Sequence, residues 1–169
     1  MTKKRKLLFR VSIGLNLLLL GFAAWGMIKM NFVKEQVLVN EVQRNLVELE
    51  GLISHQIRNN WSDPNLVTSE LGDVLSGIWL GMTTGQQLGM LSKDDKEILE
   101  DLYYKLYQYP RDELYSFADL TDEDKKNFED LRNKLREVGL GLNITISANI
   151  NSFIGQAEAL VEKIESPLD

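Results

Sequence analysis

Residues 11–33 read VSIGLNLLLLGFAAWGMIKMNFV. No charged side chain stands between Val11 and Ile28, and five cations, Lys3, Lys4, Arg5, Lys6 and Arg10, precede the run. Coiled as a helix, its eighteen uncharged residues extend roughly 27 Å, and Lys29 can snorkel at one end, which matches a bilayer core of about 30 Å. The basic flank belongs in the cytoplasm by the positive-inside rule. The expected arrangement is a cytoplasmic basic tail at 1–10, a single-pass transmembrane signal-anchor helix at 11–33 in the cell membrane, and an extracytoplasmic helical domain at 34–169. The rival reading is a cleaved signal peptide, for which Gly21, Ala23, Ala24 and Gly26 offer imperfect cleavage sites. Apolar character continuing through Phe32 and Val33 exceeds an ordinary signal-peptide core. Cleavage would leave a secreted domain, so both readings export it.

Charge is divided sharply along the chain. The formal net charge is −6, from 19 Lys and Arg against 25 Asp and Glu. Residues 1–33 hold six of the basic side chains and no acid, which leaves 13 against 25 beyond them, a net of −12. So acidic a domain is repelled by nucleic acid and by anionic headgroups, and no nucleic-acid ligand is expected. Cysteine is absent, which removes disulfides, thiolate chemistry, cysteine zinc sites and a lipoprotein anchor. An exported domain without disulfides relies on its hydrophobic core, a profile that suits a bacterial surface protein.

Beyond the anchor the pattern stays helical. Phe32, Val39, Leu46 and Ile53 fall seven apart, with Val42 and Leu49 in the second seam position. This narrow stripe predicts helix over 30–60, interrupted on its seam by Glu35 and Gln56. Asp63 and Pro64 begin a second helix, 64–91. Ser92 with Asp95 opens a third, 93–109, whose apolar line is Leu99, Leu102, Leu106 and Tyr109, and Pro110 stops it. Residues 111–118 read as a short turn of helix. Thr121 with Asp124 caps a fourth helix bearing Phe128, Leu131, Leu135 and Val138. Leu140, Leu142, Ile144 and Ile146 alternate like a strand, but no partner strand is legible, so 140–165 reads as helix, either separate from the fourth or continuous with it. The fold expected is all-α: an N-terminal transmembrane helix followed by an antiparallel bundle of four to five helices.

Small residues recur every fourth position twice. Gly77, Gly81, Gly85 and Gly89 form one row, and Gly139, Asn143, Ser147, Asn151 and Gly155 form another. Each glycine inside a helix costs about 1 kcal/mol relative to alanine, so rows of this kind predict close helix packing. Facing each other, the two rows would make a central pair wrapped by the charged helices. Further membrane spans compete with this reading, but Gln86, Gln87, Asn143, Asn149 and Asn151 make insertion costly.

No catalytic or metal-ligating constellation stands out. His55 is the sole histidine, and the acidic run Asp119, Asp122, Glu123 and Asp124 lacks the glycine and the terminal glutamate of a calcium loop. A solvated helix N-terminus explains that run. Tyr103, Tyr104, Tyr107, Tyr109, Tyr115 and Phe117 crowd around Pro110 and form the candidate interaction surface. The function expected is therefore non-catalytic: a membrane-tethered helical bundle, held by residues 11–33, acting through protein–protein interaction, with no cofactor or metal. A protein partner is expected, and a homo-oligomer is compatible with the pattern. The alternative is a small-ligand sensor or carrier with a pocket between helices 64–91 and 140–165, lined by Asn143, Ser147 and Asn151 beside Trp79 and Met82.

Overall fold

The computed structural model of the chain describes residues 3–87, 89, 91–142 and 149–168, with side chains for all of these except 30–37, 39 and 40. Two compact units divide it, Met1–Val33 and Lys34–Asp169. The architecture is all-α: one N-terminal apolar helix, then five packed helices.

The first helix, α1, spans Lys3–Glu35. Its 27-residue portion Lys3–Lys29 is long and apolar enough to cross a membrane, and its apolar window is 0% buried. Leucine, phenylalanine and tryptophan side chains stand exposed on every side of it.

In the second unit a π-helix, Gln36–Gln43, leads to α2, Arg44–Arg58. The described part of the expected seam is buried here: Val42, Leu46, Leu49 and Ile53 have no exposed surface, and Leu38 joins them, while Phe32 and Val39 lie outside the described side chains. Gln56, which breaks the apolar seam, is also buried, and its side-chain oxygen accepts the Asp63 amide at 3.0 Å. That bond holds the turn into α3, Asn65–Gln87. Asn60 and Trp61 make the turn in left-handed backbone, φ 51° and 55°. The strain at Trp61 is offset by its indole, which packs on Phe128 and donates to Glu129 at 3.4 Å.

Helices α4, Lys93–Leu106, and α5, Asp122–Glu137, each begin with the capping box read from sequence. Ser92 accepts the Asp95 amide at 3.0 Å and Thr121 the Asp124 amide at 3.1 Å, while each aspartate returns the bond to the cap backbone. The predicted apolar lines Leu99–Leu102–Leu106–Tyr109 and Phe128–Leu131–Leu135 are fully buried or nearly so, while Val138, the last of the second line, is half-buried at the end of α5. Helix α6, Ile150–Lys163, adds Phe153, Ile154, Ala157 and Leu160 to the same core. α2 packs on α3 and α5, α3 on the π-helix and α4, and α4 on α6.

Two sequence expectations about the chain's course require correction. Residues 111–118 are not helical: Glu113 and Ser116 exchange backbone hydrogen bonds at 3.0 and 3.1 Å, leaving Leu114 and Tyr115 at a tight tip. The helix expected over 140–165 starts later, and of the two readings the separate one holds: α5 and α6 are not continuous. Gly139, in left-handed backbone at φ 81°, ends α5, and the Leu140 amide reaches back to the Leu135 carbonyl at 2.8 Å. Residues 140–142 are therefore not helix, 143–148 lie outside the described residues, and α6 starts only after Asn149, whose side chain caps the Asn151 amide.

In the small-residue rows, Gly77 and Gly85 pack against neighbours other than the second row, and Gly155 faces open space. Gly77, Gly81 and Gly85 are buried, but Gly77 lies against the π-helix, where a Cβ would come 2.6 Å from the Glu41 carbonyl oxygen. Gly85 is covered by Leu91, 2.5 Å from the place of its Cβ. Gly89 lies past the end of α3, exposed, with φ 62°. In the other row Gly139 is the α5 stop, Asn151 and Gly155 are exposed, and nothing lies within 4 Å of a Cβ at Gly155. Asn143 and Ser147 fall outside the described residues.

Candidate functional site: an aromatic groove between α3 and α4

The crowded tyrosines separate into three places. Tyr109 is core: 1% exposed, its ring 5.3 Å from that of Phe128. Its hydroxyl has no hydrogen-bond partner among the described residues, and burial, followed by the charges of Asp130 and Glu165, pushes its ionisation well up. Tyr115 and Phe117 stand on the loop tip beside Leu114, and Tyr115, at 99% exposure, touches almost nothing. Tyr103, Tyr104 and Tyr107 make a cluster on α4 and just past its end. Tyr103 meets Tyr104 edge-on with centroids at 5.7 Å and Tyr107 at 5.6 Å.

Helical spacing brings the first rings together. Positions 103 and 107 share one face, and Arg111, past the end of α4 and Pro110, lays its guanidinium 3.4 Å from the Tyr107 ring centroid. Arg111 is fixed there by donating to the Tyr107 carbonyl at 3.0 Å. Across from them α3 supplies Trp79, an exposed indole, with Leu75, Ser76 and Gly72 along the floor. Together they line an open groove of about 460 Å³.

Asp112 secures the end of the groove. Its carboxylate accepts the Thr68 hydroxyl at 2.7 Å, the Ser69 hydroxyl at 2.6 Å and the Ala118 amide at 3.0 Å. Partial burial would raise its pKa, but the Ser69, Thr68 and Ala118 hydrogen bonds outweigh that and hold it below the usual value. One side chain thus ties the loop to the first turns of α3 and sets Arg111 over the groove.

Arg111 and Asp112 were not singled out by the sequence, and Trp79 was expected to line a pocket with α6 rather than a groove with α4. The one legible signal was the i, i+4 pair Tyr103–Tyr107; Trp79 stands in an uncharged stretch that reads as core on every face, which hid its exposure. Of the residues expected to line a pocket between α3 and α6, Trp79 turns to solvent beside α4, Asn151 is exposed, and Asn143 and Ser147 lie outside the described residues. Among the described residues no group of three or more His, Cys, Asp or Glu side chains is placed to hold a metal ion.

What the groove offers is binding chemistry: flat aromatic faces, one stacked cation, and hydroxyls at the rim. The chain matches no protein-family model, no curated protein and no solved structure.

Proposed function

We propose that this protein is a membrane-anchored, non-catalytic binding module, tethered by residues 11–33, whose helical domain stands outside the cytoplasm and engages another protein through the aromatic groove. The observation that carries the reading is the set of exposed rings held in place rather than buried. Trp79 is 58% exposed, Tyr104 62% and Tyr107 45%, while Asp112 and Arg111 fix the surface from one side. Tryptophan, tyrosine and arginine are the residue types that dominate binding energy at protein interfaces, because they present large areas at low entropic cost. Leu114, Tyr115 and Phe117 extend the apolar surface onto the loop that Asp112 anchors.

The anchor reading is supported by the fully exposed apolar helix and by the five cations that precede it. The small-ligand alternative moves to this groove, whose volume exceeds the roughly 300 Å³ at which ligand pockets begin.

Photo-crosslinking in intact cells tests the proposal. A photoreactive residue at position 104, 107 or 115 should give a discrete protein adduct, whereas one at Glu158 on α6 should not. Adducts that are equally diffuse at all four positions would end the partner reading. Saturable competition by a small molecule, without any protein adduct, would favour the alternative.

A further inference from the structure

A second cleft lies on the opposite pair of helices, α2 and α5, and its chemistry is different. Glu50, in the middle of α2, has no exposed surface. One carboxylate oxygen accepts from Arg136 Nε at 2.5 Å, from the Ser54 hydroxyl at 3.0 Å, and faces Arg132 Nε at 3.3 Å; the other accepts the Leu142 amide at 3.0 Å. The carboxylate is thereby fully satisfied, and a single guanidinium would suffice to neutralise it. Two are present, and Arg58 lines the same cleft as a third cation.

The excess is notable because residues 34–169 carry a net charge of −12. Three arginines against one glutamate leave the cleft cationic in an acidic domain. Ser54 accepts from Arg132 Nε and from Arg136 Nη2, so both guanidinium planes are oriented from behind. Arg132 Nη2 and Arg136 Nη1 make no hydrogen bond among the described residues, and Arg58 makes none either. The space before them is about 230 Å³, room for a tetrahedral or planar anion with some of its water. Ile57 and Leu142 give the rim an apolar edge.

We propose that this cleft binds a single oxyanion, a phosphate or carboxylate group borne by a small ligand, through Arg58, Arg132 and Arg136, with Glu50 and Ser54 positioning the latter two. Guanidinium forks match both groups in geometry, and a partly enclosed site strengthens the pairing. The site is independent of the aromatic groove, which shares none of its residues.

The test uses the full chain in zwitterionic detergent micelles, titrated with inorganic phosphate or with acetate at constant ionic strength made up with chloride. Phosphate, acetate or both should raise the thermal midpoint saturably where chloride does not, and the stronger of the two identifies the group preferred. Arg58→Gln breaks none of the bonds to Glu50, so the fold should persist while apparent affinity falls roughly tenfold. Arg132→Lys keeps the charge but loses the fork, and should weaken binding similarly. If neither anion differs from chloride, or if both variants titrate like the parent chain, the arginines serve only Glu50 and the proposal is wrong.

Discussion

Gly77 and Gly155 both sit inside helices, yet their surroundings demand opposite outcomes from the same substitution. A methyl at Gly77 meets the Glu41 carbonyl of the π-helix, a backbone atom that cannot swing aside. Gly77→Ala should destabilise the 34–169 unit by about 1–3 kcal/mol despite its better helix propensity. Gly155 faces open space, so Gly155→Ala should stabilise by about 0.5–1 kcal/mol. Urea midpoints for the two variants give the signs directly, and a shift of equal sign for both would contradict the packing described.

Two carboxyls, Glu50 buried and Glu70 half-buried, pull the pH dependence in opposite directions. Burial would raise the Glu50 pKa, but the Leu142 amide, Arg136 and Ser54 outweigh it and hold the group below 4.5. Its contribution is complete above that value and is lost as pH falls through the lowered pKa. Glu70 on α3 is raised to about 7 by burial and by the charges of Glu48 and Asp73, and one of its oxygens has no partner among the described residues. Stability tied to Glu70 is complete below 4.5 and is lost as pH rises through about 7. Stability of 34–169 should therefore peak near pH 4.5 and decline on both sides. Glu70→Gln should add about 1–2 kcal/mol at pH 8 and nothing at pH 4, as read by denaturant melts. A gain of the same size at both pH values would remove Glu70 as the cause.

At the scale of elements, local rules were legible and non-local ones were not. The capping boxes at Ser92 and Thr121 depend on residues three apart, so sequence places them to the residue, and Thr121→Ala should cost about 1 kcal/mol in a thermal melt. The heptad seam of α2 was legible for the same reason. The period-four rows were not resolved by spacing alone. A glycine at a helix crossing, such as Gly77, and one that ends a helix, such as Gly139, share that spacing, and only tertiary contacts separate them. No residue pattern announced the π-helix at Gln36–Gln43 either; it sits where α3 presses on the backbone at Glu41. The Gln43 side chain, buried there, donates to Gln156 at 2.7 Å, and Gln156 donates onward to the Gly139 carbonyl at 2.9 Å. This relay joins the π-helix, α6 and the end of α5, and no single segment contains its partners. The tyrosine cluster was half legible: spacing brought Tyr103 and Tyr107 to one face and set Tyr109 on the buried line, but it could not show that Trp79 turns outward. Because the Tyr109 hydroxyl is buried without a partner, Tyr109→Phe should leave stability unchanged or raise it by up to about 1 kcal/mol.

Across the whole molecule, the division between six basic residues before position 34 and a net charge of −12 after it is what orients the chain in the proposed reading. Partner binding through Trp79, Tyr104 and Tyr107 presupposes that the acidic unit lies outside the cytoplasm. Because the chain contains no cysteine, single introduced thiols report position without background. Leu114, 83% exposed at the loop tip, is the natural probe for one side, and Thr2, ahead of the cations, for the other. Intact cells producing Leu114→Cys or Thr2→Cys would be treated with a membrane-impermeant maleimide, before and after permeabilisation. The account predicts labelling of Leu114→Cys in intact cells, with the protein in the membrane fraction, and labelling of Thr2→Cys only after permeabilisation. Labelling of Thr2→Cys alone in intact cells, or recovery of the full-length chain in the soluble fraction, would contradict it.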